Sequence, residues 1–168
     1  MKGDDAFLDC SLELNEKIHR IVNNFSASIV RIAFTFVKNL SDAEDIAQDV
    51  FLLYIQKSPV FHDEGHEKAW LIRVAINRSK DYLKSSWKKR IVHLPDDLSY
   101  IPSEDLMLLK NVLELDEKYR LPIYLYYFDD FSIKEIAVML NTNPSTVGTR
   151  LERGRKIIKD KLGDDYYE

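Results

Sequence analysis

The sequence predicts an all-α protein: two small helical domains joined by a flexible linker, with a helix-turn-helix in the second. Three observations carry this. Apolar residues recur at steps of three and four along most of the chain. Only five glycines and five prolines in 168 residues leave little material for the turns of a β protein. Finally, two short basic stretches, separated by a proline-bracketed segment, each occupy one face of a helix in a chain of net charge −4.

The elements follow in order. From Leu14 to Leu40, the positions Ile18, Val22, Phe25, Ile29, Ile32 and Phe36 alternate steps of four and three, which gives one amphipathic helix or two nearly in line. Ser41 is the expected N-cap of the next helix, with Glu44 completing a capping box. Ala43, Ile46, Ala47, Val50 and Tyr54 would be buried. Ser58-Pro59 interrupts this helix, and Val60 to Glu67, containing Gly65, reads as a loop. A third helix is expected from about Lys68 to Arg90, with Leu71, Ile72, Ala75, Ile76, Tyr82 and Leu83 inward.

Pro95 and Pro102 bracket HLPDDLSYIP, which has no period and reads as a linker. Ser103 suits the N-cap of a fourth helix carrying Leu106, Leu109, Val112 and Leu113. Tyr119 to Phe128 has the aromatic, β-branched look of a strand. A lone strand has nothing to pair with in a helical chain, so the segment is assigned to helix. Ser132 and Glu135 form another capping box, on a helix burying Ile136, Ala137 and Leu140. After the polar break Asn141–Asn143, Pro144 suits the first position of a last helix that buries Val147, Leu151, Gly154, Ile158 and Leu162.

Charge gives these elements tasks. Residues 68–90 carry eight basic side chains against Asp81 alone, and 141–163 carry six against Glu152 and Asp160, so the rest of the chain sums to −15. Such segregation is the footprint of a protein that meets a polyanion at two places. The last helix opens with small polar residues (Ser145, Thr146, Gly148, Thr149) and continues into Arg150, Glu152, Arg153 and Lys156. This is helix-turn-helix logic: small residues let the helix end approach base edges in the major groove, while Arg and Lys reach phosphates. On the first basic helix Arg73, Asn77, Lys80, Lys84 and Lys88 form one stripe, with Trp70 and Trp87 at its margins. Interleaved indole and amide groups suit distorted or single-stranded DNA better than an intact groove. The helix after Ser41 turns Asp42, Asp45, Gln48, Asp49, Leu52 and Gln56 outward, and a leucine among outward acids suggests a protein partner of basic and apolar character.

Other classes find little support. His62, Asp63, Glu64 and His66 lie in a loop without further well-placed ligands, so no metal or cofactor is expected. No phosphate-cradling glycine loop or nucleophile constellation marks an enzyme, so no catalytic residue is assigned. No apolar run approaches a membrane span, the first residues do not form a signal peptide, and the single Cys10 has no partner, all of which fits the cytoplasm. A DNA-binding regulator acting alone would use the same helix-turn-helix, but would leave the 68–90 stripe and the acidic helix without a task.

With these residues in view, the chain resembles the extracytoplasmic-function (ECF) group of sigma factors, bacterial subunits that direct RNA polymerase to promoters. DAEDIAQDVFLLY (Asp42 to Tyr54) looks like the family's polymerase-binding helix and AWLIRVAINRSKDYL (Ala69 to Leu83) like its promoter-melting helix. FSIKEIAVMLNTNPSTVGTRLERGRKIIKDKL (Phe131 to Leu162) looks like its C-terminal helix-turn-helix. The resemblance implies a leader at 1–14, sigma domain 2 at 15–91, a linker at 92–104, sigma domain 4 at 105–163 and an acidic tail at 164–168. It implies that Asp42, Asp45, Gln48, Asp49 and Leu52 dock on core RNA polymerase. Trp70, Arg73, Asn77, Lys80, Lys84 and Lys88 would hold melted non-template DNA of the minus-ten element, where Asn77 and the Ser58–Glu67 loop help read a flipped base. Ser145, Thr146, Gly148, Thr149, Arg150, Glu152, Arg153 and Lys156 would face the duplex of the minus-thirty-five element. Two positions depart from the family pattern: Gly148 stands where Arg or Lys is usual, and Asn143 where the turn proline is usual, with Pro144 one residue later. An anti-sigma factor is the regulator the resemblance implies, with no membrane insertion of the chain itself.

Overall fold

The computed structural model describes residues 3–85 and 106–162. All regular structure among them is helical: α1 (Gly3–Val37), α2 (Leu40–Lys57), α3 (Glu64–Ser85), α4 (Leu106–Leu113), α5 (Glu117–Tyr127), α6 (Ile133–Met139) and α7 (Pro144–Leu162). The linker at 92–104, the Ser103 cap, Trp87, Lys88, Leu162 as a core side chain and the acidic tail lie outside what is described.

The helices α1, α2 and α3 pack against one another as a first bundle. Its interior is Ile21, Phe25, Ile29 and Ile32 from α1, Ala43, Ile46, Ala47 and Val50 from α2, and Leu71, Ile72, Ala75 and Ile76 from α3, all buried. The alanines at the contact lines let the helix axes approach. α1 begins at Gly3, well ahead of the apolar period, because the stretch GDDAFLDCSLEL holds no helix breaker beyond its first residue.

Three local details differ from the sequence expectation. The N-cap of α2 is Asn39, whose side-chain oxygen accepts from the Asp42 backbone N–H at 3.0 Å, so Ser41 lies inside the first turn. Lys38, at φ 52°, makes the reversal between α1 and α2 in the left-handed region, which sets the cap two residues early. α3 begins at Glu64 and shortens the expected loop, because Asp63 accepts from the His66 N–H at 2.8 Å and caps the helix. Leu83, expected inside, is exposed and Tyr82 is half-buried, since α3 runs past the end of the bundle there.

The second bundle is α4 to α7, with α7 packed on α5 and α6. Val112, Leu121, Ile123, Leu125, Ile136, Val147, Leu151 and Ile158 form its core. The 119–128 segment is helical, as α5. Gly154 sits where α7 crosses α5: a Cβ there would lie 2.9 Å from Ile123 Cγ1, so this crossing needs glycine. The buried Arg120 donates to the Leu113 and Leu115 carbonyls at 3.1 and 3.0 Å, satisfying the end of α4. The two bundles meet through α1 against α5 and α3 against α6.

Candidate nucleic-acid and partner interfaces

The face of α7 is built from its start. Ser132 and Glu135 exchange the reciprocal bonds of a capping box on α6, which holds the Glu135 carboxyl below its usual range. Asn141, at φ 49°, turns the chain, and the Thr142 N–H returns to the Ala137 carbonyl at 2.9 Å. α7 then starts at Pro144. Ser145, Thr149, Glu152, Arg153 and Lys156 are exposed, while Thr146, Gly148 and Arg150 are half-buried. All eight share the side opposite Val147, Leu151 and Ile158. A Cβ at Gly148 would meet nothing within 4 Å, so the missing side chain leaves open space at one edge of the face. Lys118 and Tyr119 from α5 join Thr146, Thr149, Arg150 and Arg153 around a shallow depression of about 250 Å³. Sequence reading missed these two α5 residues; the only signal was a cation followed by an aromatic at the start of that helix.

On α3 the stripe is only partly open. Arg73 and Asn77 are exposed, and Lys84 is exposed beside Asp81 at 3.6 Å. Lys80 is half-buried and its Nζ lies 3.7 Å from the Glu117 carboxylate of the second bundle. Trp70 is half-buried, its ring 5.9 Å from Tyr54 edge-on and 5.9 Å from Phe61. One side of the indole is therefore committed to an aromatic cluster that seats the 58–63 loop, and Trp70 is less available for stacking than its place on the helix suggested.

Beneath that loop lies a polar brace invisible in the sequence. Glu67 is buried; it accepts from the Tyr54 hydroxyl at 2.5 Å and from Arg20 at 2.8 and 3.1 Å. Burial, and then the Glu67 carboxylate, push the Tyr54 phenol far above its ordinary range, so it stays a donor.

α2 turns Asp45, Gln48 and Asp49 to solvent, with Leu52 55% exposed among them. Asp42 is half-buried and accepts from the Tyr82 hydroxyl at 2.5 Å, which ties the start of α2 to α3. Leu52 forms one rim of an apolar groove of about 490 Å³ whose walls are Val22 and Val30 of α1 with Ala47, Phe51 and Ile55 of α2. The α1 wall escaped the sequence reading because only packing brings it beside α2.

Two helical modules, one ending in a helix-turn-helix and the other bearing a cationic ridge and an acid-rimmed groove, define a DNA-binding transcription factor with a protein partner. Comparisons with known proteins narrow this. The family model for Sigma-70 region 2 matches residues 21–89 and that for Sigma-70 region 4 matches 106–158, together well over half of the chain. The ECF RNA polymerase sigma factor SigW of Bacillus subtilis is 28% identical, over 97% of this chain and 92% of its own length. The RNA polymerase sigma factor SigV of the same species is 26% identical, over 84% and 88%. The structure of the sigma factor RpoE in complex with the anti-sigma factor NepR from Bartonella quintana superposes with a TM-score of 0.64 at 19% identity, covering 89% of this chain and 99% of that one. That of CnrH in complex with the cytosolic domain of CnrY gives 0.62 at 20%, covering 92% and 91%. The chain belongs to the sigma-70 family, in its extracytoplasmic-function group, and is a factor for promoter-specific transcription initiation.

Proposed function

We propose a division of labour among the three surfaces. Asp45, Gln48, Asp49 and Leu52, with the groove behind them, dock on core RNA polymerase, while Asp42 positions α2 through Tyr82. Arg73, Asn77, Lys80, Lys84 and Lys88 hold the separated non-template strand of the minus-ten element, and Trp70 supports the adjoining loop. Ser145, Thr146, Thr149, Arg150, Arg153 and Lys156 face the minus-thirty-five duplex, with the backbone at Gly148 close to it and Glu152 at the rim.

The observation that carries this reading is the exposed amide of Asn77 set between cations on one ridge of α3, apart from the helix-turn-helix face. Extruding a base costs a few kcal/mol. Contacts made only to the open strand offset that cost, and the second module raises the effective concentration of the first. The acidic remainder of the chain disfavours DNA until polymerase covers α2.

The molecule works by binding and not by catalysis, in the cytoplasm, where its polymerase is. Among the described residues no helix is long and apolar enough to cross a membrane. A solved sigma factor that resembles this fold, RpoE of Bartonella quintana, has the anti-sigma factor NepR bound, which supports an anti-sigma factor as the regulator of this chain. The test is transcription in vitro with core polymerase on a library of genomic fragments. Discrete initiation sites dependent on the chain are expected; none above core polymerase alone would refute the reading.

A further inference from the structure

The 58–63 loop between α2 and α3 is held from below by three helices that meet at one carboxylate. Glu67, in the first turn of α3, is buried. Its Oε1 accepts from the Tyr54 hydroxyl of α2 at 2.5 Å, and its two oxygens accept from Arg20 Nη2 of α1 at 3.1 and 2.8 Å. The Arg20 side chain is half-exposed and lines a cleft of about 320 Å³ whose other walls include Lys17, Pro59, Val60 and Phe61.

Tyr54 carries the link from brace to loop. Its hydroxyl bonds Glu67 while its ring stacks on Phe61, with 6.2 Å between centres and 23° between planes. Both ends of the loop are tied to the same helices. Ser58, at φ 40°, donates its N–H to the Tyr54 carbonyl at 2.9 Å, and the Glu67 N–H donates to the Asp63 carbonyl at 3.2 Å. Tyr54, Phe61, Asp63 and Glu67 are therefore coupled, and between them Val60 is presented 95% exposed. Ordering a loop costs backbone entropy at every residue, and a loop already ordered in the free protein no longer weakens binding by that amount.

We propose that Arg20, acting through Glu67 and Tyr54, is a positioning residue for base recognition: the brace holds the loop in the geometry that reads the flipped base of the minus-ten element. This rests on the minus-ten reading above. Arg20 itself touches no base, and its charge is taken up by Glu67. Phosphate contacts on the α3 ridge hold a strand whatever its sequence, whereas the right base adds binding only when the loop stands in place. A loop in place one-tenth of the time would weaken Kd for DNA with the preferred base about tenfold and leave DNA with a disfavoured base unchanged.

The experiment uses holoenzyme and fork-junction DNA from a promoter found by the transcription assay, with each minus-ten base substituted in turn. Wild type should separate preferred from disfavoured base at one position by about 10- to 100-fold in Kd. Arg20→Gln should cut that ratio about tenfold by weakening the preferred DNA alone, with the salt dependence unchanged. Glu67→Gln keeps the side-chain shape should Arg20→Gln fail to fold, and the same loss is expected of it. The double variant should lose no more than the greater single loss, because both act through one side chain. A second readout needs no DNA: a spin label at Val60→Cys in a Cys10→Ser background should gain mobility when Arg20→Gln is added. Equal weakening of both DNAs, with a salt slope lower by about 0.7, would make Arg20 a phosphate contact. An unchanged ratio, or unchanged label mobility, would leave the brace a purely structural device. Any of these results overturns the positioning role. A wild-type holoenzyme that distinguishes no minus-ten base would refute base reading by the loop and take the positioning role with it, a failure seen before any variant is made.

Discussion

Leu52→Ala separates docking from folding, because the leucine is 55% exposed while its helix neighbours Ile46 and Val50 are buried. Full burial of a leucine stabilises by about 1.5–3 kcal/mol. Slightly more than half of that remains to be gained in a complex, roughly 0.8–1.6 kcal/mol, or about a 4- to 15-fold weaker Kd for polymerase on truncation. The fold should scarcely register the change, within about 0.5 kcal/mol by denaturant titration. Ile46→Ala, at 2% exposure, is the contrast: it should cost the bundle about 2–5 kcal/mol. Asp45→Lys should slow association more than it speeds dissociation, and its effect should shrink as salt is raised. The assay is equilibrium binding of labelled chain to core polymerase at two ionic strengths. A Leu52→Ala chain of unchanged stability that binds within twofold of wild type would remove this leucine, and the groove behind it, from the interface.

Three further expectations follow from the same geometry. Tyr54→Phe removes the hydroxyl that bonds buried Glu67 and should cost about 1.5–3 kcal/mol. Trp70 fluorescence during denaturation reads the loss, and an unchanged midpoint would contradict the brace. Gly154→Ala should destabilise region 4 by about 1–3 kcal/mol through its clash with Ile123, whereas Gly148→Arg fits the open face and should steepen the salt dependence of minus-thirty-five binding by about one counterion; calorimetry and salt titration check the pair. The third concerns pH. Burial raises the Asp129 carboxyl above its ordinary value, against the pull of Ser28, Lys68 and Arg31. A group raised where the bundles meet stabilises their contact fully below its ordinary pKa, and that contribution is lost as pH rises through the raised value. The contact between the bundles, read from the distance between spin labels placed one on each, should therefore strengthen as pH is lowered through the raised value, and a contact that weakened instead would contradict this.

Local chemistry was legible and distant chemistry was not. The Ser132–Glu135 capping box, the start of α7 at Pro144 and the inward faces of α2 and α7 each depend on neighbours within a turn or two, and the structure has them as the pattern predicts. The helical state of α5 followed from excluding an unpaired strand, a global argument that outweighed β propensity. The cap of α2 was misplaced because Asn39 and Ser41 both suit an N-cap, and only the reversal at Lys38 decides between them. Glu67 read as loop because its burial depends on Arg20, 47 residues away. The hydrogen bond from Ser28 to Asp129 joins residues 101 apart, and no local signal marks it.

The account stands most directly on strand separation at the minus-ten element. Permanganate reactivity of promoter thymines, with holoenzyme made from Arg73→Ala/Asn77→Ala, reads that step without disturbing the aromatic cluster around Trp70. Loss of reactivity, with polymerase affinity and minus-thirty-five duplex binding retained, is the predicted result. Thymines as reactive as with the wild-type factor would show that the α3 ridge does not hold the open strand.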